Sequence, residues 1–194
     1  MTARPPLLWL IIGPNGAGKS TYHATRVEPR LLAEFVNANR IALERWPDAG
    51  PEKSYEAARI AAERRSELLG AGRSLVAETV ASHPSKLELL HAAQASGYEV
   101  WVSFVCLESA ALAVERVARR VRHGGHPVPE EKVRARYERM APIAQAAVAS
   151  ADRAFVVDNS ETKRPLRDVM LVERGHAIWR APDPPAWLGE LFPE

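Results

Sequence analysis

The chain has one cysteine, Cys106, in 194 residues. That excludes an intrachain disulfide and a thiolate cage for a metal, and in its apolar run Cys106 reads as a small buried thiol. Long hydrophobic runs are missing too. The longest near the N-terminus, Leu7 to Ile12, is stopped by Gly13-Pro14 and is too short for a signal-peptide core or a membrane span. Net charge is small: Lys+Arg is 26 against Asp+Glu 24, a balance of +2 that argues against a protein built to coat nucleic acid. Internal repeats and low-complexity linkers are absent as well. What remains is a globular protein expected in a reducing cytoplasm, long enough for one domain with a substantial core.

The apolar residues that are present fall into short runs separated by helix-like stretches. Leu7–Ile12 is continuous, the pattern of a strand buried on both faces, and shorter runs follow at Glu34–Asn37, Ser74–Ala77, Tyr98–Leu107 and Ala154–Asp158. Helical patterns fill the gaps at Lys19–Val27, Asn39–Arg45, Pro51–Leu69, Pro84–Ser96, Ser109–Arg122 and Pro129–Ala149. Glycines close two of them, at Gly70-Ala71-Gly72 and Ser96-Gly97, while Pro51, Pro84 and Pro129 suit first turns. Such alternation predicts an α/β fold with a parallel sheet between two layers of helices. Beyond Asp158, Asp168–Glu173 and Ala177–Trp179 are expected as an antiparallel edge hairpin, and Trp187, Leu188, Leu191 and Phe192 as a packed terminal segment.

Gly13-Pro14-Asn15-Gly16-Ala17-Gly18-Lys19-Ser20, followed by Thr21, satisfies every fixed position of G-x-x-x-x-G-K-S, with a buried strand entering and a helix leaving. The glycines let backbone N–H groups wrap phosphates, and the helix points its positive end at the same anion. Lys19 is expected to reach the β- and γ-phosphates of ATP and Ser20 to hold Mg²⁺. An L-S-G-G-Q-like signature and an Asp-Glu strand end are absent, which sets aside a transporter-type ATPase. No Asn-Lys-x-Asp segment is present to read guanine.

Transfer of a phosphoryl group further requires cations around it and a polar acceptor site opposite. Arg116 and Arg120 share a helix face with Arg119 adjoining, while Val114, Val117 and Val121 take another face expected to pack inward. The helix stops at Gly124-Gly125, and a second begins near Pro129 with Arg134, Arg136 and Arg139. This reads as an arginine-bearing lid over ATP; nucleic acid is disfavoured because aromatics hardly interleave with the arginines. On the acceptor side the second strand ends at Asn37-Ala38-Asn39 and the third at Glu78-Thr79. Glu78 can bind an acceptor hydroxyl, orient Mg²⁺ through water, or cap the next helix. Trp46, Tyr55 and His83 either line a base-stacking pocket or simply pack.

Taken in order, Gly13–Thr21, Phe35-Val36-Asn37-Ala38-Asn39-Arg40-Ile41-Ala42, Ala77-Glu78-Thr79-Val80, the stretch Arg116 to Tyr137 with Gly-Gly-His-Pro-Val-Pro, and Asp158-Asn159-Ser160 resemble the zeta-toxin family of P-loop kinases. The resemblance implies a three-layer P-loop kinase domain across residues 1–194 with sheet order 2-3-1-4-5 and a helical lid at roughly 110–140. It implies an ATP- and Mg²⁺-dependent kinase whose small-molecule acceptor is a sugar hydroxyl of UDP-N-acetylglucosamine, and a protein antitoxin as partner. By position, Lys19 and Ser20 bind ATP and Mg²⁺, Glu78 touches the sugar nucleotide, and lid cations such as Arg116, Arg120, His126 and Arg136 stabilise the phosphoryl group. Where the family carries an aspartate general base, this chain has Asn39, whose amide orients a hydroxyl but takes no proton from it. Either Glu78 or Asp48 then supplies the base, or the protein is an attenuated member. The alternative function is a nucleotide-binding regulator without phosphotransfer.

Overall fold

A computed structural model describes residues 4–47, 52–125 and 127–193. Its centre is β1 (Leu7–Ile12), whose side chains alternate between two apolar cores. Leu8, Leu10 and Ile12 face one core; Trp9 and Ile11 face the other. A strand with both faces buried has no use for a polar residue, which is why the run is unbroken. Each fully buried Leu or Ile side chain contributes roughly 1.5–3 kcal/mol.

Around it lie β2 (Glu34–Val36), β3 (Leu75–Thr79), β4 (Glu99–Cys106) and β5 (Arg153–Asp158), in the order β2-β3-β1-β4-β5 and all parallel. β6 (Arg167–Glu173) and β7 (His176–Arg180) extend this sheet as an antiparallel hairpin. Its tight turn sets both Arg174 and Gly175 at positive φ, the backbone of a two-residue hairpin. The expected order 2-3-1-4-5 holds, with two strands added beyond it.

On one face pack α3 (Lys53–Gly70), α4 (Ser85–Ala95), α7 (Met140–Ser150) and α8 (Ala186–Leu191), the last through Trp187 and Leu188. Cys106 is buried in this core, and that burial pushes its thiol pKa up. On the other face lie α1 (Lys19–Tyr22), which continues as a π-helical stretch His23–Val27, α5 (Ala110–Arg122) and α6 (Glu130–Glu138). α2 (Ala38–Arg45) follows β2 at the sheet's edge.

Two expectations need correction. Pro129–Ala149 is two helices rather than one, divided at Arg139. Pro142 has no N–H to give to the Glu138 carbonyl, so a continuous helix is broken there. The break also lets the chain change faces: Val133 of α6 belongs to one core and Ile143 of α7 to the other. Second, Val121 is not packed inward; it is 37% exposed, whereas Ala113 and Val117 face the core.

Among the described residues no helix is long and apolar enough to cross a membrane.

Candidate active site

β1 is where the sheet changes direction, because the chain proceeds from it to β2 on one side and reaches β4 on the other. Loops leaving the carboxyl ends of strands at such a point diverge and open a crevice. The loop after β1 is Gly13–Gly18, and its glycines are required by geometry. A Cβ on Gly13 would sit 2.0 Å from the Val105 carbonyl oxygen. One on Gly16, at φ +78°, would lie 2.9 Å from the Ala113 oxygen and 3.2 Å from Arg116 Cβ. The phosphate loop therefore rests directly on α5, the helix that carries the arginines. Gly16→Ala should force that helix outward, costing about 1–3 kcal/mol of stability from strain and overpacking and weakening ATP binding by more than about tenfold. A thermal melt and a nucleotide titration check this; wild-type ATP affinity in the variant would refute it.

Lys19, only 6% exposed, opens α1. Its Nζ donates to the carbonyls of Gly13 (3.1 Å) and Pro14 (2.9 Å) and lies 3.9 Å from Glu78 Oε1. Burial pulls the pKa of this ammonium down; Glu78 opposes the shift, and Arg120 and Arg136 add to it. A buried cation crowded by other cations is poised for a polyanion. Ser20 Oγ donates to Glu78 Oε2 at 2.8 Å. β3 brings Glu78 there by pairing it with Ile11 of β1.

Opposite stand Arg116, Arg119, Arg120 and His123 on α5 and just beyond it, across an open cavity of ≈ 510 Å³ that Asn39 also lines. Arg116 donates to the Ser160 carbonyl at 3.1 Å, and Arg136 of α6 to Asn15 Oδ1 at 3.3 Å. Among the described residues that line the cavity, four formal cations, Lys19 among them, face one carboxylate, that of Glu78. That balance suits a triphosphate better than a neutral ligand.

The residues expected at the site are thus largely brought together: the Gly13–Thr21 loop, Asn39, Glu78, Arg116 and Arg120, with Arg136 at the loop's edge. His126 and Asp48 lie outside the described residues. Tyr55 is 84% exposed, His83 bonds to Ser85 at the start of α4, and Trp46 lies under the Lys53 ammonium. None of the three lines the cavity.

Three residues lie in stretches that the sequence singles out but receive an individual role only from the structure. His123 lines the cavity, its Nδ1 donating to the Arg119 carbonyl at 2.8 Å. Asn159 donates to the Ala17 carbonyl at 2.8 Å and accepts from Leu166 N at 3.0 Å, pinning the phosphate loop to the end of β5. Asn37 caps α2 and bonds to Glu78. An Asn just before a helical pattern is itself a capping signal, so this one was within reach of the sequence.

The donor set fits Mg²⁺. One hydroxyl and one carboxylate meet, both hard oxygen ligands, and Mg²⁺ completes its octahedron with waters and substrate phosphates. Among the described residues no group of three or more His, Cys, Asp or Glu is placed to hold a metal by protein alone.

A family model described as an AAA domain matches residues 8–143. No curated protein matches the sequence. Of solved structures, the complex AvrRxo1-ORF1:-ORF2 with ATP is similar at 14% identity and TM-score 0.70, covering 90% of this chain and 60% of the other. The PezAT chromosomal toxin–antitoxin system of Streptococcus pneumoniae is similar at 13% identity and TM-score 0.59, covering 87% and 72%. A gluconokinase from Sinorhizobium meliloti 1021 is similar at 16% identity and TM-score 0.51, covering 82% and 86%. Several matched chains are longer, and this chain spans only 47% to 60% of them. At such identities the likeness shows a P-loop kinase-like fold.

Proposed function

The chain belongs to the AAA-domain family, and on that premise we propose that it is an ATP-dependent phosphotransferase of the zeta-toxin type, acting on a sugar hydroxyl of a UDP-N-acetylglucosamine-like nucleotide sugar. The observation that carries the proposal is the single cavity in which Lys19, Ser20 and Glu78 face Arg116, Arg119 and Arg120. A nucleotide hydrolase needs the loop and a water. A cationic wall across an open crevice, with two polar strand ends beside it, fits a second substrate.

In this reading the amides of Gly13–Gly18 and Lys19 hold the β- and γ-phosphates, and Ser20 with Glu78 holds Mg²⁺. The ion, when bound, neutralises charge on the phosphates and keeps them in line. The acceptor oxygen forms its bond to the γ-phosphorus as the bond to the β–γ bridging oxygen breaks, so that ADP leaves with that oxygen and the hydroxyl proton passes to solvent water in the open cavity. Lys19 and the arginines of α5 and α6 meet the charge that develops, as the lid at roughly 110–140 closes within a single domain. Asn39 orients the acceptor hydroxyl without taking its proton.

Glu78 is a poor substitute base. Its Oε2 already accepts from Ser20 and Asn37, and its Oε1 faces the Lys19 ammonium. This favours the attenuated-enzyme reading. The likeness to PezAT supports a protein antitoxin as partner, and the buried thiol with ATP dependence fits a cytoplasmic setting. A second reading, a regulator that binds nucleotide without transfer, is favoured by Asn39 alone.

Incubation with ATP, Mg²⁺ and a panel of nucleotide sugars and nucleosides, read by mass shift, tests the proposal. The expected result is one added phosphate on a UDP-sugar. Tight ATP binding with no product across the panel would favour the regulator.

A further inference from the structure

The side chain of Asn37 works in two directions at once. Its Oδ1 accepts from the backbone N–H of Asn39 (2.8 Å) and Arg40 (3.2 Å), closing the start of α2. Its Nδ2 donates to Glu78 Oε2 at 2.7 Å, the same oxygen that receives the Ser20 hydroxyl. Asn37 is only 5% exposed, and the pairing of Val36 with Ala77 delivers it beside Glu78. A cap alone explains only half of this, since Asp or Ser caps a helix as well as Asn does. The amide N–H is what distinguishes Asn, and it is aimed at a carboxylate.

We propose that Asn37 is a positioning residue for Mg²⁺: it holds the Glu78 carboxylate toward Ser20 and ties that carboxylate to the first turn of α2, where Asn39 faces the acceptor side of the cavity. It deepens the phosphotransferase reading and rests on Ser20 and Glu78 holding the ion there. The Ser20 hydroxyl can turn a lone pair to the cation while its O–H still donates to Glu78. The bond from Asn37 then keeps the carboxylate from rotating away. Coupling between the ion site and α2 follows, because one side chain is bonded both to Glu78 and to the first turn of that helix.

The test is calorimetric titration of ATP into wild type, Asn37→Asp and Asn37→Ser, each with and without Mg²⁺. Aspartate retains the cap but sets a like charge against Glu78; serine retains the cap but has no N–H to give and is too short to reach. The expected result is that Asn37→Ser melts close to wild type, that Asn37→Asp melts lower because a like charge is buried against Glu78, and that both bind Mg²⁺-free ATP normally. Each should lose about tenfold of the gain in ATP affinity that Mg²⁺ brings, the effect of one hydrogen bond to a charged group. In phosphotransfer, kcat should fall more than KM for the acceptor rises. If Asn37→Asp does not fold, Asn37→Ser carries the measurement.

Unchanged Mg²⁺ dependence in the folded variants would overturn the proposal and leave Asn37 a helix cap. So would a wild type whose ATP affinity ignores Mg²⁺, even one that transfers phosphate. A wild type that binds Mg²⁺-ATP and phosphorylates nothing defeats the kinase reading instead; the loss of Mg²⁺ coupling in the variants still supports the role of Asn37.

Discussion

Lys19→Met should lower phosphotransfer by about 10³-fold while leaving the fold intact. Methionine matches the unbranched stem of lysine and suits the buried site, so the change removes the charge with little change in volume. The ammonium lies 3.9 Å from Glu78 and is held by two loop carbonyls, which keeps it at the mouth of the phosphate cradle before any ligand arrives. A polyphosphate gains most from that preorganised charge in the transition state, where charge spreads over the transferring group. Removing one such group typically costs 10²–10³ in rate, and the buried position of Lys19 sets the expectation at the upper end. The neighbours do not compensate: Arg116 and Arg136 are drawn toward Ser160 and Asn15. Initial rates on the product-forming acceptor, with a melt in parallel, decide it. A variant within tenfold of wild type would show that the arginines of the lid suffice, and the role given to the loop would be wrong.

Much of this site was legible because its chemistry forces particular residues into consecutive positions. Gly13 has a carbonyl oxygen where any Cβ would be, and Gly16 touches the backbone of α5, so no other residue type serves. The entering strand was readable for a related reason: both of its faces are buried, and every position is apolar. Arg116 and Arg120 were readable from helical spacing, and both line the cavity.

What escaped depends on packing between distant segments. Helical spacing alone put Val121 inward with Val117, but α5 leaves the core after Val117 and presents Arg119 and Arg120 to the cavity instead. The division between α6 and α7 was written in Pro142, and its purpose, moving the chain from one face of the sheet to the other, appears only once both cores exist. Asn159 stands 142 residues from its partner Ala17, and Asn37 stands 41 from Glu78. Both stand in stretches the sequence marks, and the cap at Asn37 is signalled locally. Their partners across the sheet are fixed only once the strand order sets them beside the phosphate loop. His123 is a similar case, visible in the sequence next to the glycines but assigned no role there.

Asn39→Asp should raise phosphotransfer by about 10²-fold, the lower end of what a positioned general base supplies. The residue lines the cavity between the phosphate loop and the strand ends, and its backbone is fixed by the Asn37 cap. Only the side-chain function changes. A carboxylate there also faces the positive first turn of α2, so the substitution should be neutral or slightly stabilising. The rate profile supplies a second signature. An aspartate acts as a base only when ionised, so the variant should lose its advantage as pH falls through the carboxylate range near about 4, while wild type, with an amide at that position, should show no corresponding limb. Gain of rate together with the new acidic limb would mean that the wild-type site positions ATP and acceptor correctly and lacks only a proton acceptor. A variant no faster than its parent would sink the attenuated-enzyme reading. The missing base would then have to come from elsewhere, or the cavity would bind nucleotide for a purpose other than transfer.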